Sequence, residues 1–403
     1  MELPLKPRRA LVIGGSVGGL FAAHLLRAAG WDVEVYERAA SDLGDRGTGI
    51  GTRDELFALM GRIGLAADAS IGIGVDGRLG LDRHGATIHD LPVRAVTSAW
   101  SRIWRPLRQA LPDDCYRTGQ TLTRIEQDSE HVSAAFDDGS RAHGDLLVAA
   151  DGLHSTARAQ LLPEVTPGYA GYVAWRGSVE TLSPEHAVTM FQRMVFGFPD
   201  GELMLSIPMP APRGGTGRAC HFVWFRPVPE GALASFCTDA GGRCHGVSIP
   251  PPLIRPELIA ALKHDAETLL APQLAELVHA TPQIILQPIF DLKSPRIAFG
   301  RVALIGDAAF VARPHVATGV MKAAIDAECL ADALAADGDV ADALQRYDAQ
   351  RQPYGAALVA RGRHIGAYFA GTHRNQAPST ETLMREYGSA GLVHDRPIVA
   401  RGA

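Results

Sequence analysis

Paired cysteines, one-sided charge and long apolar runs are all missing from this chain, and each absence closes a class of function. The five cysteines, Cys115, Cys220, Cys237, Cys244 and Cys329, are odd in number and scattered, with no C-x-x-C among them. That usage argues against a disulfide framework or a zinc site, so no metal is expected, and it points to reduced thiols in the cytoplasm. A net charge of −5 leaves no electrostatic footprint for nucleic acid or an anionic bilayer. No apolar run approaches the roughly 20 residues of a membrane helix. The start, MELPLKPRRA, runs straight into a strand pattern instead of a signal-peptide core. No repeat of about 20 to 50 residues recurs, which removes solenoids. What is left is a globular balance, 46% hydrophobic and 21% charged. At 403 residues the chain exceeds one ordinary core, so two interleaved domains or one elaborated domain is expected.

The clearest local signal is at the front. Arg9 to Ile13 (RALVI) is a short apolar run ending in GGSVGG, after which FAAHLLRAAG carries apolar residues at helical spacing and stops at Gly30. WDVEVYER then alternates and ends on Glu37 and Arg38, so the segment predicts strand, tight turn, helix and strand. Such a unit holds a pyrophosphate: glycines let the backbone come close, and the helix N-terminus presents unpaired N–H groups and a positive dipole. Glu37, 23 residues after Gly14, stands where a carboxylate can take an adenosine ribose. The spelling is Gly14-x-Ser16-x-x-Gly19, with serine at the middle glycine. Gly72 to Gly77 matches G-x-G-x-x-G letter for letter, but a hairpin pattern follows it, so it reads as a plain turn.

Two later segments repeat the strand-then-acid pattern. GDLLVAADGLHSTAR places Asp151-Gly152 after an apolar strand, and GRVALIGDAAFVARPHVATG places Gly306-Asp307 after another, before a helix from about Gly319. Singly each is weak. Together and in this order they resemble the FAD-dependent aromatic hydroxylases (flavoprotein monooxygenases), over nearly the whole chain. Tyr169 to Gly177 (YAGYVAWRG) is similar to the strand that enters that family's substrate domain. The run from Arg313 to Lys322 resembles most the branch acting on electron-rich hydroxylated N-heteroaromatics such as dihydroxypyridines. The resemblance implies that Glu37 takes the adenosine ribose, Asp151 supports the pyrophosphate loop and Asp307 holds the ribityl chain. It also implies that Pro314 lies beside the isoalloxazine and that the helix from Gly319 faces the flavin edge that becomes negative on reduction. Arg38 is a further candidate, for a phosphate. Phe310, Ala317, Met321 and Trp104 depart from the family, which often has histidine, glycine, asparagine and arginine there; Arg102 and Arg105 flank Trp104.

The expected fold is α/β, a Rossmann-like FAD-binding domain with an inserted antiparallel β-sheet substrate domain and C-terminal helices. Residues 1–70, 99–166 and 282–345 are assigned to the first, and 71–98 and 167–281 to the second. Residues 346–375 are assigned to a helical segment, with Tyr354, Leu358, Ile365 and Phe369 on one face, and 376–403 to a loosely held tail. In the middle, TMFQRMVFGF, ELMLSIPMP and CHFVWFRPV read as antiparallel strands, with PRGGTGR as a hairpin tip. Phe196, Met204, Ser206 and Trp224 are the pocket candidates there, and His315, then His221, the candidates for a substrate base.

The activity so implied uses NADH or NADPH and O₂ to hydroxylate a small aromatic through a flavin C4a-hydroperoxide. A homodimer is admitted; nucleic acid and membrane partners are not expected. Three alternatives stay open at this point: a FAD oxidoreductase that inserts no oxygen, an NAD dehydrogenase, and a flavin-binding regulatory protein without turnover. A halogenase is disfavoured, because no W-x-W-x-I-P segment is present.

Overall fold

The computed structural model describes residues 7–44, 49–66, 71–211, 217–336, 338–369 and 378–388. Two large sheets organise it. The first has six strands in the order Ala298–Phe299, Val302–Leu304, Leu146–Ala149, Arg9–Ile13, Asp32–Glu37 and Tyr116–Thr118. Its interior strands are near-continuous apolar runs, as a parallel sheet covered on both faces demands. Val302–Leu304, Leu146–Ala149 and Arg9–Ile13 are adjacent and parallel. The three segments that follow them in sequence, separated by more than a hundred residues, therefore leave the same edge of the sheet. Helices Val17–Ala28 and Gly319–Ala335 pack on this sheet and against each other.

The second sheet has eight strands, in the order Phe310–Val311, Ile285–Lys293, Gly168–Val179, Arg218–Pro227, Leu203–Pro210, Met194–Gly197, Arg78–Leu81 and Thr87–Leu91. It is antiparallel except where Met194–Gly197 runs parallel to Arg78–Leu81. One face is covered by helices Pro256–Leu269 and Pro272–Ala280, and the other looks towards the first sheet. Small sheets complete the fold, one of them joining Gly49–Thr52, Ala95–Ala99 and Gly72–Val75.

Three expectations need correction. Gly72 to Val75 is a strand, not a turn, because its backbone groups pair with Ala95–Ala99. The second sheet does not stop at 281: Ile285–Lys293 pairs with Gly168–Val179, a register that only the partner strand reveals. Residues 378–388 are also not loosely held, since helix Thr380–Glu386 buries Leu383 and Met384. The tip of PRGGTGR, residues 212–216, and the tail from 389 lie outside the described residues, although the strands flanking the tip do pair as a hairpin. In the long helix Val340–Gly366, Leu358 and Ile365 are buried, as is Phe369 just beyond it, and Tyr354 is partly so. Among the described residues no helix is long and apolar enough to cross a membrane.

Candidate active site

Between the two sheets lies a cavity of about 600 Å³, within the usual range for small-molecule and cofactor sites. Its parallel-sheet wall is mostly backbone. A Cβ on Gly14, whose φ is +106°, would lie 2.4 Å from the Ala150 carbonyl oxygen, and one on Gly19 would lie 1.9 Å from that of Gly14. Both positions exclude any side chain. Ser16 differs: it is the N-cap of Val17–Ala28 and lines the cavity without making a side-chain cap. Space there admits a serine where the motif has glycine, and the helix N-terminus keeps its N–H groups towards the cavity. Glu37 is buried, and its two oxygens accept from Gly15 N at 2.7 Å and Ala39 N at 2.8 Å. That carboxylate shapes the glycine turn directly. Arg38 beside it is exposed.

The other two strand ends are stitched together. Arg158, buried after the Asp151-Gly152 turn, donates to the carbonyls of Leu153 and, at 3.1 Å, Ala308. Asp151 accepts from Ala157 N at 3.2 Å, and burial raises its carboxyl above the ordinary range. Gly306 N donates to buried Asp326 at 3.0 Å, and Asp326 is in turn paired with Arg351. Asp307 then projects into the cavity with its side chain 52% exposed, 3.5 Å from the buried Lys322 Nζ, which donates to Phe310 O. Pro314, Val316, Ala317, Thr318 and Gly319 continue the lining up to the N-terminus of Gly319–Ala335. Ala317 is the only non-glycine among the described residues at positive φ, +44°. The Thr318 hydroxyl is buried in this wall with no partner among the described residues. Two helix N-termini, a carboxylate and an unsatisfied hydroxyl around one long cavity fit a dinucleotide flavin.

The opposite wall is made of side chains, and here the structure redirects several candidates. Cross-strand pairing puts Arg176 opposite Val223, and Val223 opposite Leu205. Arg176, Val223, Ile207 and Met194 line the cavity. Met204, Ser206 and Trp224 are one residue out of phase, so they sit on the far face towards the covering helices. Trp224 is used there: its indole donates to Glu202 at 2.8 Å. Phe196 is on the cavity face but does not line the cavity; it packs edge-on against Tyr387 at 5.9 Å.

Neither candidate histidine lines the cavity. His315 is fully buried, shares a 2.6 Å hydrogen bond with the Tyr172 hydroxyl, and packs among Phe225, Phe369 and Tyr387. Burial, with Arg313 and Arg176 nearby, holds its pKa well below the ordinary range. His221 shares a hydrogen bond with Ser178 at 3.1 Å behind strand Gly49–Thr52, and burial lowers its pKa to about 3. Both rings lie behind the cavity lining, where burial disfavours their charged form.

Residues 8–194 match the model of the family described as FAD binding domain, and 169–291 match FAD binding domain-like. The chain is 31% identical to a 2,6-dihydroxypyridine 3-monooxygenase of Paenarthrobacter nicotinovorans, across 90% of this chain and 94% of that one. The chain belongs to the FAD-dependent aromatic hydroxylases. A solved 2,6-dihydroxypyridine-3-hydroxylase from Arthrobacter nicotinovorans superposes on this hydroxylase with TM-score 0.86 at 30% identity, over 91% and 93% of the two chains. Klebsiella pneumoniae HpxO, solved with FAD and uric acid, gives 0.77 at 26% identity over 94% and 92%. This aromatic hydroxylase is thus an FAD enzyme with NAD(P)H as co-substrate.

Its departures from the family have local explanations. Trp104 donates its indole N–H to Gly15 O at 2.8 Å, so it braces the glycine turn from outside. Arg102 and Arg105 donate to Ala211 O and Gly44 O. Phe310 is buried against Gly355. Sequence reasoning missed Arg176 and Tyr387 as lining residues. An arginine inside the apolar strand YVAWRGSV was a usable signal; a tyrosine in a polar tail was not.

Proposed function

We propose that this hydroxylase acts on a small hydroxylated N-heteroaromatic ring of the dihydroxypyridine kind, with NADH or NADPH and O₂ as co-substrates. The observation that carries the reading is one cavity shared by three strand ends and a mostly apolar sheet face that carries Arg78 and Arg176. Bound FAD supplies the redox and oxygen-transfer chemistry. In this reading Gly14, Ser16 and Gly19 pass the pyrophosphate, Glu37 takes the adenosine ribose, and Arg38 approaches a phosphate from the surface. Asp151 supports the same loop, Asp307 holds the ribityl chain, Pro314 flanks the ring system, and Gly319 opens the helix that faces its polar edge. Met194, Ile207, Val223 and Phe290 exclude water from the reacting ring. Among the described residues no histidine lines the cavity, so the ring oxygen is best supplied already ionised, a form that a nearby guanidinium favours by lowering the pKa of the hydroxyl. The reading places the enzyme in the cytoplasm, as a monomer or homodimer.

The test is substrate-stimulated oxidation of NADH and NADPH over hydroxypyridines, hydroxybenzoates and larger polycyclic phenols, with product mass read alongside. A product heavier by one oxygen atom from a hydroxypyridine is the expected result. Stimulated oxidation without such a product would make the chain a non-oxygenating oxidoreductase. Bound FAD without any stimulation would make it a regulatory flavoprotein.

A further inference from the structure

Lys322 is the only lysine among the buried charged groups of the described residues, with 1% of its side chain exposed. It lies in the first turn of Gly319–Ala335, where the peptide dipoles already place positive charge. Two costs therefore meet at this position: the ammonium loses its hydration on burial, and the helix N-terminus disfavours a cation. Packing does not ask for the charge, because Met321, Ala323, Ala324 and Ile325 beside it are all buried and apolar. What offsets the cost lies on a neighbouring turn. Lys322 Nζ donates to Phe310 O at 2.6 Å and stands 3.5 Å from Asp307 Oδ1.

That turn, Gly306 to Phe310, is fastened from three directions. Asp326 accepts from Gly306 N at 3.0 Å, Arg158 donates to Ala308 O at 3.1 Å, and Lys322 donates to Phe310 O. Asp326 is committed to Arg351, and Arg158 divides its guanidinium between Ala308 and Leu153. Lys322 differs from both. Among the described residues it is the ion-pair partner of the carboxylate that this turn presents to the cavity. Asp307 lines the cavity with its side chain half exposed, whereas Lys322 stays behind the lining. The ammonium therefore reaches a ligand through Asp307.

We propose that Lys322 is a positioning residue for FAD, whose charge holds the Asp307 carboxylate ready to accept from the ribityl hydroxyls. It rests on the reading of Asp307 as the acceptor for that chain, and it adds the residue that makes the acceptor effective. Binding, not folding, is where this charge counts. Asp307 is half exposed and can take water in place of the ammonium, so no buried carboxylate is stranded when Lys322 is replaced. Replacement also relieves both of the costs that burial at a helix start imposes.

The experiment is a double-mutant cycle on FAD affinity. The FAD-loaded enzyme is diluted stepwise, the dissociation constant is read from the rise in flavin fluorescence, and circular dichroism checks the fold of each variant. Lys322→Gln keeps a donor for Phe310 O and removes the charge; it should weaken FAD about tenfold, the worth of a hydrogen bond to a charged group. Asp307→Asn should weaken it by a similar factor. Adding Lys322→Gln to Asp307→Asn should then cost less than about threefold more, and Lys322→Arg alone should stay within about threefold of wild type. An unchanged affinity in Lys322→Gln overturns the proposal, as does a Lys322→Arg loss equal to that of Lys322→Gln. A Lys322→Gln loss that is undiminished in the Asp307→Asn background also overturns it, since the charge would then act without Asp307. If Lys322→Gln does not fold, Lys322→Met, matched to the apolar residues around it, replaces it in the cycle under the same criteria. Failure of the underlying reading looks different: Asp307→Asn itself would leave FAD affinity unchanged, which removes the role of Asp307 and the proposal with it.

Discussion

One wall of the cavity is built from backbone and the other from side chains, and that contrast explains most of how this protein reads. Behind the parallel-sheet wall, Gly14 and Gly19 are needed because a carbonyl oxygen occupies the place of their missing side chain. On the antiparallel wall, Arg176 and Val223 face the cavity only because of how their strand pairs with its neighbours. A backbone-built wall tolerates few letters at a given position. A side-chain wall tolerates many, and a shift of one residue exchanges its inner and outer faces.

The contrast can be broken by substitution on either side, with the largest effect expected on the backbone wall. Gly19→Ala forces a methyl into the Gly14 carbonyl, and overpacking of this kind costs about 3 kcal/mol of stability in the turn that precedes the helix N-terminus. The variant should purify colourless or unfolded; a yellow protein with wild-type flavin content would show that the turn can yield.

The far face of the antiparallel sheet should respond in stability alone. Met204→Ala removes a fully buried side chain among the covering helices and should cost about 3 kcal/mol. KM should not move, whereas Val223→Ala, on the near face, should change KM more than it changes the melting temperature. A Met204→Ala variant with altered KM and normal stability would reverse the assignment of the two faces.

The wall histidines give the comparison a pH dependence. The unfolded chain takes up protons near pH 6.5, whereas burial lowers His221 to about 3 and His315 well below its ordinary range. The unfolded state therefore binds more protons in this window, and stability falls as pH drops from about 6.5 towards 3. Thermal melts across that range should show the decline, and His221→Gln should make it shallower. A melting temperature flat from neutrality to pH 4 would contradict the buried, neutral state of both rings.

The smallest effect is expected at Ala317, where a left-handed backbone costs an alanine about 1 kcal/mol. Ala317→Gly removes that strain but gives the unfolded chain more freedom, so a net gain of about 0.5 kcal/mol is expected from denaturant melts. A clear loss of stability would mean that the methyl group makes contacts worth more than the strain.

Legibility followed the same division. The glycine turn, the carboxylate of Glu37 and the two later acidic turns stood out by spelling, and the structure brings their strands side by side. Ser16, an imperfect letter, is accommodated because its side chain meets open space. Met204, Ser206 and Trp224 looked equally plausible as pocket residues, since alternation shows that a strand has two faces and not which face is covered. His315 was conspicuous as a histidine beside a proline, yet its hydrogen bond to Tyr172 reaches across 143 residues of chain. Tyr387 could not be found from its neighbours in sequence, because its place depends on Arg78, more than three hundred residues earlier.

By itself the sequence determined what sterics and short-range order dictate: the strand–turn–helix unit, the glycines that no other residue can replace, and the order in which three acidic turns arrive. Only the tertiary structure decided which sheet face looks inward, that two histidines are walled off, and that a polar C-terminal segment lends Tyr387 and Gly388 to the cavity lining. The physical reason is range. A tight turn is spelled within a few residues, whereas facing and cavity lining depend on partners whose distance along the chain leaves no local trace.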